Sequence, residues 1–284
     1  MSAAPVWGPV SERAGGQVRL RSQLGAIEVT FNRPEKHNAF TTAMYAELER
    51  ICELAAITPA LRVVVFRGAG GRAFAAGNDI SSFTDVSSGA DGVAYESRIR
   101  GVLDGIAGMP QLTIAAVEGH CVGGGLAVAN ACDLRIATPT ARFGFPIART
   151  LGNALSAPIV LRCAEVFGDP LTREMLLASR MVDARRAASV GAVMEVVAPE
   201  RLEAEVWGVA AGVMHAAPLT IRTTKEQLRD GRAHYDAEAD DTRLERAYGS
   251  DDFKEGVVAF LAKRQPAFRG EVPERHYKSP YAAE

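Results

Sequence analysis

No apolar run in the sequence approaches 18 residues, the length a helix needs to cross a bilayer, so no helical membrane span is expected. Basic excess is lacking too: 32 Lys and Arg stand against 34 Asp and Glu, a formal net charge of −2. Without that excess nothing tracks a phosphate backbone, and nucleic acid is not an expected partner. Cysteine is sparse, at Cys52, Cys121, Cys132 and Cys163, with no C-x-x-C pair and no nearby histidine to complete a zinc pattern. Isolated thiols of this kind read as small buried hydrophobes, so no metal site is expected. The opening stretch MSAAPVWGPVSERAGGQ lacks a charged region followed by an apolar one, which predicts no secretory signal and a cytoplasmic location. Fixed-period repeats and low-complexity tracts are also missing.

What is present fits a globular protein. The 284 residues suit one large domain, or a domain with an appendage. Hydrophobic residues make up 48% and charged residues 23%, ordinary for a packed core with a solvated surface. Short strands alternate with helices, which predicts an α/β fold. Strands are expected at Ala26–Phe31, Leu61–Phe66, Thr113–Val117, Leu134–Ala137 and Met194–Val197. Thr41 or Thr42 can cap a helix running to about Ala56, with Met44, Leu48, Ile51 and Ala55 on one face. A second helix is expected from near Gly124 to before Asp133. From about Pro199 the pattern turns helical, with segments at Glu200–His215, Pro218–Asp230, Asp236–Ala247 and Asp252–Arg264. The expected organisation is an α/β core over residues 1–198 and a helical region with a polar tail over residues 199–284.

Glycine is the one residue in excess, at 27 of 284, about 9.5% against a typical ~7%. Three segments concentrate it. Gly68-Ala69-Gly70-Gly71-Arg72-Ala73 matches G-x-G-x-x-A in form, but that dinucleotide fingerprint must open a helix, and FAAGNDISSF follows instead. A plain turn is the expectation. The second segment is Phe74-Ala75-Ala76-Gly77-Asn78-Asp79-Ile80, and the third is Gly119-His120-Cys121-Val122-Gly123-Gly124-Gly125. The third lies between a strand and an Ala-rich helix. Glycines there let the backbone approach a ligand and present unpaired N–H groups at a positive helix end. Such a site suits an oxyanion or a phosphate.

Asn32-Arg33-Pro34 with Asn38-Ala39, then FAAGNDI, then AAVEGHCVGGG, then Ala131-Cys132-Asp133-Leu134-Arg135-Ile136-Ala137, and finally Lys254-Glu255-Gly256 through Pro266, resemble the enoyl-CoA hydratase/isomerase (crotonase) superfamily over roughly residues 18–270. The resemblance implies a spiral of β-β-α units with a helical C-terminal region, and a homotrimer or hexamer. It implies an acyl-CoA thioester as substrate, with CoA as part of that substrate and no further cofactor. Two backbone N–H groups would hold the thioester oxygen of an enolate. By motif position these belong to Asn78 and Gly124. CoA contacts would fall at Ala76, Phe260 and Lys263, with Ile80 in the same turn, and with Arg33, Lys36 and Arg72 as phosphate contacts. For these cations a solvated surface charge is the alternative, and for Phe260 it is core packing.

The sequence departs from that family where its acids should be. Relatives carry one glutamate two residues after the glycine triplet and another after the F-G-x-P turn, and here those positions hold Ala127 and Ile147. General acid–base groups contribute roughly 10²–10⁴ each, so their loss slows hydration unless another group substitutes. His120 and Glu118 are the candidate substitutes, a structural loop role being the alternative for each. Asp79 and Asp133 read as structural, and Arg149 and Asn153 lie just past the second vacated position. The stretch Gly77–Asp85 is similar to that of Δ3,Δ2-enoyl-CoA isomerases. A hydratase, such an isomerase, and a weakly catalytic acyl-CoA-binding protein in fatty-acid or related acyl-CoA metabolism therefore all stand as readings.

Overall fold

The computed structural model describes residues 8–23, 25–79, 88–150, 152–230, 250–264 and 266–269. The chain divides into two compact units, Met1–Met214 and His215–Glu284.

The first unit opens with β1 (Ser11–Arg13), β2 (Val18–Gln23) and β3 (Ala26–Phe31), then α1 (Thr42–Ala56). There follow β4 (Val63–Gly68), β5 (Ala73–Ala75), α2 (Gly89–Gly108), β6 (Leu112–Val117), β7 (His120–Val122) and α3 (Gly124–Ala131). The unit continues with β8 (Leu134–Ala137), β9 (Arg142–Gly144), α4 (Ile147–Thr150), α5 (Ala157–Leu177), β10 (Val182–Asp183), α6 (Ala184–Ser189), β11 (Glu195–Val196) and α7 (Pro199–Met214). The order β1-β2-β3-β4-β6-β8-β11 forms one sheet and β10-β9-β7-β5 a second. Each turn of the chain thus leaves one strand in each sheet before a helix returns it: β4 then β5, β6 then β7, β8 then β9. This is the β-β-α spiral that the resemblance implied. From β3 to β11 the larger sheet pairs in parallel, as helical crossovers require.

Alternation along the strands separates two cores. Val64 and Phe66 face a core with Leu48 and Ile51 of α1, Val102 and Ile106 of α2, and Leu126 of α3. Val63, Val65, Ile114 and Ile136 face the other way, against Leu202, Val206 and Ala210 of α7. That packing makes α7 part of the first unit, although its sequence groups it with the C-terminal helices, so the unit ends at Met214 rather than at 198. Burial on both faces explains why these parallel strands read as continuous apolar runs.

Thr41 caps α1 by accepting from the Met44 N–H at 3.2 Å, and Met44, Leu48, Ile51 and Ala55 are buried as their spacing predicts. Two long helices were not anticipated. In α2 the glycines at 89, 92, 101, 105 and 108 obscure the helical signal, yet Ser88 and Asp91 form a full capping box and Ile99, Val102, Leu103 and Ile106 are buried. In α5 the kink at Gly168 and the internal Pro170 break the pattern. The second unit contains α8 (Pro218–Asp230) and α9 (Asp251–Leu261) among its described residues. The helix expected at 236–247 lies outside the described residues.

Candidate active site

Parallel pairing of β5 with β7 brings the second and third glycine-bearing segments together, with Ala73 opposite His120 and Ala75 opposite Cys121. The turns beyond these strands then pack closely. A Cβ on Gly123 would lie 3.3 Å from the Gly77 Cα, and one on Gly124 would lie 2.2 Å from Asn78 Oδ1. Gly77 (φ 101°) and Gly123 (φ 54°) both occupy backbone conformations that side chains disfavour.

The two backbone amides have the freedom an oxyanion site requires. Phe40 donates its N–H to Gly77 and accepts from the Asp79 N–H, each at 2.8 Å, forming a parallel bridge opposite Asn78. In that pattern Asn78 directs its own N–H away from Phe40. Gly124 is the first residue of α3, so its N–H has no carbonyl four residues back and lies at the positive end of the helix dipole. Arg135 reinforces the polarity. Its guanidinium donates to the Ala129 and Cys132 carbonyls at the negative end of α3, at 2.9 and 2.8 Å. Burial pushes this guanidinium below the usual arginine value.

The Asn78 side chain is itself a junction. Its Oδ1 accepts from the Tyr45 hydroxyl of α1 at 2.6 Å, and its Nδ2 donates to the Tyr95 hydroxyl of α2. Burial pushes the Tyr45 phenol well above its usual value, with Tyr95 and the Glu96 charge adding to the effect. Tyr45 therefore stays protonated and remains a donor at neutral pH. Arg33 secures the same turn from the outside, pairing with Asp79 at 2.8 Å and donating to the Ala39 carbonyl at 2.7 Å. Its guanidinium is thus committed within the protein.

Lys36, Arg72 and Ala76 are all exposed and lie on two adjoining loops. Arg72 donates to the Pro34 carbonyl at 3.1 Å, and the Ala76 N–H donates to the His37 carbonyl at 3.0 Å. Three of the positions singled out for CoA therefore share one accessible rim. Ile80 lies outside the described residues. Phe260 belongs to α9 and exposed Lys263 follows it, both in the second unit.

Ala127 and Ile147 stand where the resemblance implies acids. Ala127 is buried in α3 and lines a void of ≈ 10 Å³ with Leu103, Asn130, Ile159 and Arg162, barely the room one water needs. Ile147 begins α4 and is half-buried. The two candidate substitutes look elsewhere. Glu118 sits 3.8 Å from Arg67, in a cleft lined also by Arg21, Glu28, Glu203 and the Gly68–Gly71 turn. His120 is exposed, its ring edge-on to His37 with centroids 6.4 Å apart. No hydrogen bond among the described residues joins either to Asn78 or Tyr45. Asp133 accepts from the Thr113 N–H and hydroxyl at 2.8 Å, tying β8 to β6. The Gly68–Gly71 turn leads into β5 rather than a helix, so it does not meet the condition of a dinucleotide fingerprint.

The pattern of the enoyl-CoA hydratase/isomerase family matches residues 21–271. The chain belongs to the enoyl-CoA hydratase/isomerase family. Among its relatives is the mevalonyl-coenzyme A hydratase sidH of Aspergillus fumigatus, 32% identical over 251 residues that cover 85% of this chain and 90% of that protein. Another is the (E)-benzylidenesuccinyl-CoA hydratase of Thauera aromatica, 32% identical over 259 residues, 85% of this chain and 94% of that one. A crystal structure of an enoyl-CoA hydratase/carnithine racemase from Magnetospirillum magneticum superposes with a TM-score of 0.85 at 33% identity, covering 92% of this chain and 97% of that one. Its named relatives include hydratases of acyl-CoA thioesters, and the fold is shared with this family's solved structures. Sequence reasoning did not single out Tyr45, Tyr95 or Glu96. The Ser88-x-x-Asp91 box followed by apolar residues at 99, 102, 103 and 106 was the signal that could have placed Tyr95 and Glu96 on a helix.

Proposed function

We propose that the protein binds an acyl-CoA thioester and stabilises its enolate through the N–H groups of Asn78 and Gly124, acting as a hydratase/isomerase-type enzyme of acyl-CoA metabolism. The observation that carries this reading is the close packing of the 77–78 turn on the Gly123–Gly124 turn, with both amides uncommitted to secondary structure. The exposed rim of Lys36, Arg72 and Ala76 suits the CoA moiety, and a homotrimer or hexamer is the assembly the family suggests. Relatives that act on mevalonyl-CoA and (E)-benzylidenesuccinyl-CoA indicate that the acyl group itself varies widely.

A second reading has its own support. With Ala127 and Ile147 in place of acids, the protein could bind acyl-CoA esters and turn them over weakly. Purified protein with crotonyl-CoA and with a 3-enoyl-CoA, followed by enoyl-thioester absorbance, separates the readings. Turnover that is lost when the glycine triplet is disrupted supports the enzyme. Micromolar binding without turnover supports the binding protein, and a failure to bind any CoA ester overturns both.

A further inference from the structure

Helix α2 places a carboxylate beside the residues that hold the Asn78 turn. Tyr95 and Glu96 are neighbours on this helix. Through the Tyr95 hydroxyl, α2 grips the side chain of Asn78, whose backbone forms part of the oxyanion site. Glu96 reaches the other way. Its Oε2 accepts the Ser156 N–H at 2.8 Å, in the segment that joins α4, where Ile147 stands, to α5. The carboxylate is thereby tied to the segment that follows α4, the helix that begins at Ile147. Its charge is felt at Tyr45, whose hydroxyl lies 2.6 Å from Asn78 Oδ1.

Other carboxylates near the site are committed. Asp79 pairs with Arg33, Glu118 with Arg67, Asp104 with Arg162 and Asp133 with Thr113. Glu96 makes no ion pair among the described residues, and Arg100, one turn further along α2, donates to the Ser97 hydroxyl instead. Two polar atoms of the segment it holds, Asn153 Oδ1 and Ser156 Oγ, are buried without a hydrogen-bond partner there. Buried atoms of this kind are ordinarily completed by a ligand or water.

We propose that Glu96 is the acid–base residue of this protein, moving the α-proton of the bound acyl thioester in the role that Ala127 and Ile147 do not fill. The inference rests on the acyl-CoA reading above. In the step, a Glu96 oxygen takes the proton from the acyl Cα. The C–H electron pair forms the carbon–carbon double bond of the enolate, and the thioester C=O pair moves onto oxygen, held by the Asn78 and Gly124 N–H groups. The protonated carboxyl then returns a proton to Cα, or to Cγ when the substrate is a 3-enoyl thioester. Atoms and electrons balance with no oxidant or co-reactant. Tyr45 and Tyr95 act through Asn78 and are positioning residues.

A purely structural Glu96 would need only an acceptor oxygen for the Ser156 N–H, and glutamine keeps one. The test is therefore Glu96→Gln in the full chain, with butyryl-CoA in D₂O, measuring deuterium entry at Cα by mass spectrometry and the Kd for the same ester. The expected result is exchange slowed by ~10²-fold or more, with Kd within about threefold of the wild type. Exchange by the Gln variant at the wild-type rate overturns the proposal. So does a wild-type protein that binds butyryl-CoA without exchanging it. Failure of the wild type to bind any acyl-CoA instead overturns the functional reading beneath. Should the Gln variant not fold, Glu96→Ala with added formate decides: rescue of exchange supports the proposal, and a folded Ala variant with wild-type exchange overturns it.

Discussion

Gly124→Ala should disable the site while leaving the chain able to fold, and the structure indicates by how much. Position 124 has helical backbone, so alanine would ordinarily gain ~1 kcal/mol there. The added Cβ, however, would lie 2.2 Å from Asn78 Oδ1 and 2.6 Å from the Tyr45 hydroxyl. Ordinary contact needs about 3.5 Å, so the Asn78 side chain must retreat by roughly 1 Å. A shift of that size takes the 2.6 Å Tyr45–Asn78 hydrogen bond past the useful limit of ~3.2 Å and disturbs the Tyr95 bond with it. Each lost bond costs about 1 kcal/mol, and an unpaired buried Tyr45 hydroxyl adds ~1–3 kcal/mol. The net destabilisation is ~2–4 kcal/mol after the helix gain, of the size typical of overpacking.

Function should suffer more than stability. The turn that carries the Asn78 N–H moves, and loss of one oxyanion donor costs ~10²–10³ in rate. Urea denaturation and α-proton exchange on butyryl-CoA measure the two effects separately. Asn78→Ala removes the nearer clashing atom but keeps the backbone donor. Gly124→Ala should therefore be milder in that background, and milder still with Tyr45→Phe. The pair should depart from additivity by more than ~1 kcal/mol. Gly125→Ala is the contrasting control. Its Cβ would meet the Ala75 backbone carbonyl at 2.3 Å, which cannot rotate aside, so that variant should lose β5 and fold poorly. A Gly124→Ala protein with wild-type stability and exchange, or an additive cycle, would refute the reasoning.

Arg33→Ala should slow acyl-CoA chemistry with little change in Kd, because its partners at 2.7 and 2.8 Å are Ala39 and Asp79 of the oxyanion turn. Arg72→Ala should instead weaken binding, and a tenfold rise in Kd for Arg33→Ala with an unchanged rate constant would make Arg33 a phosphate contact after all. The Cys52 thiol is pushed up to about 12, by burial first and by Glu49 next. At pH 8 it should react with thiol reagents about a thousandfold more slowly than an ordinary cysteine, since three pH units of thiolate population are lost. Because the folded value is raised, this thiol's contribution to stability is complete below the unfolded value near 9 and is lost as pH rises toward 12. A Cys52→Ser protein should show a correspondingly flatter stability curve over that window in urea titrations.

Legibility followed the kind of group involved. The two turns that pack together at Asn78 and Gly124 were legible because they demand glycine: a side chain at position 77 is strained at φ near 101°, and one at position 124 has no space beside Asn78. The buried parallel strands were legible because burial on both faces writes a continuous apolar run, as in Val63–Phe66. Side chains that act by reaching across the fold leave no such mark. Tyr45 lies in the first turn of a helix whose pattern is fully explained by core packing, and Tyr95 and Glu96 lie on a helix whose glycines hide it. Nothing local to any of them announces a meeting at Asn78, because 33 residues of chain separate Tyr45 from its partner and 60 separate Glu96 from Ser156. The same reasoning explains Glu118 and His120. Nearness in sequence to the glycine triplet does not by itself aim a side chain at Gly124, because residues along β7 alternate between its faces and Glu118 precedes the Gly119 turn. When the acids of a familiar motif are missing, replacements are better sought on elements that dock against the motif's backbone, here α1 and α2, than among the motif's own neighbours in sequence.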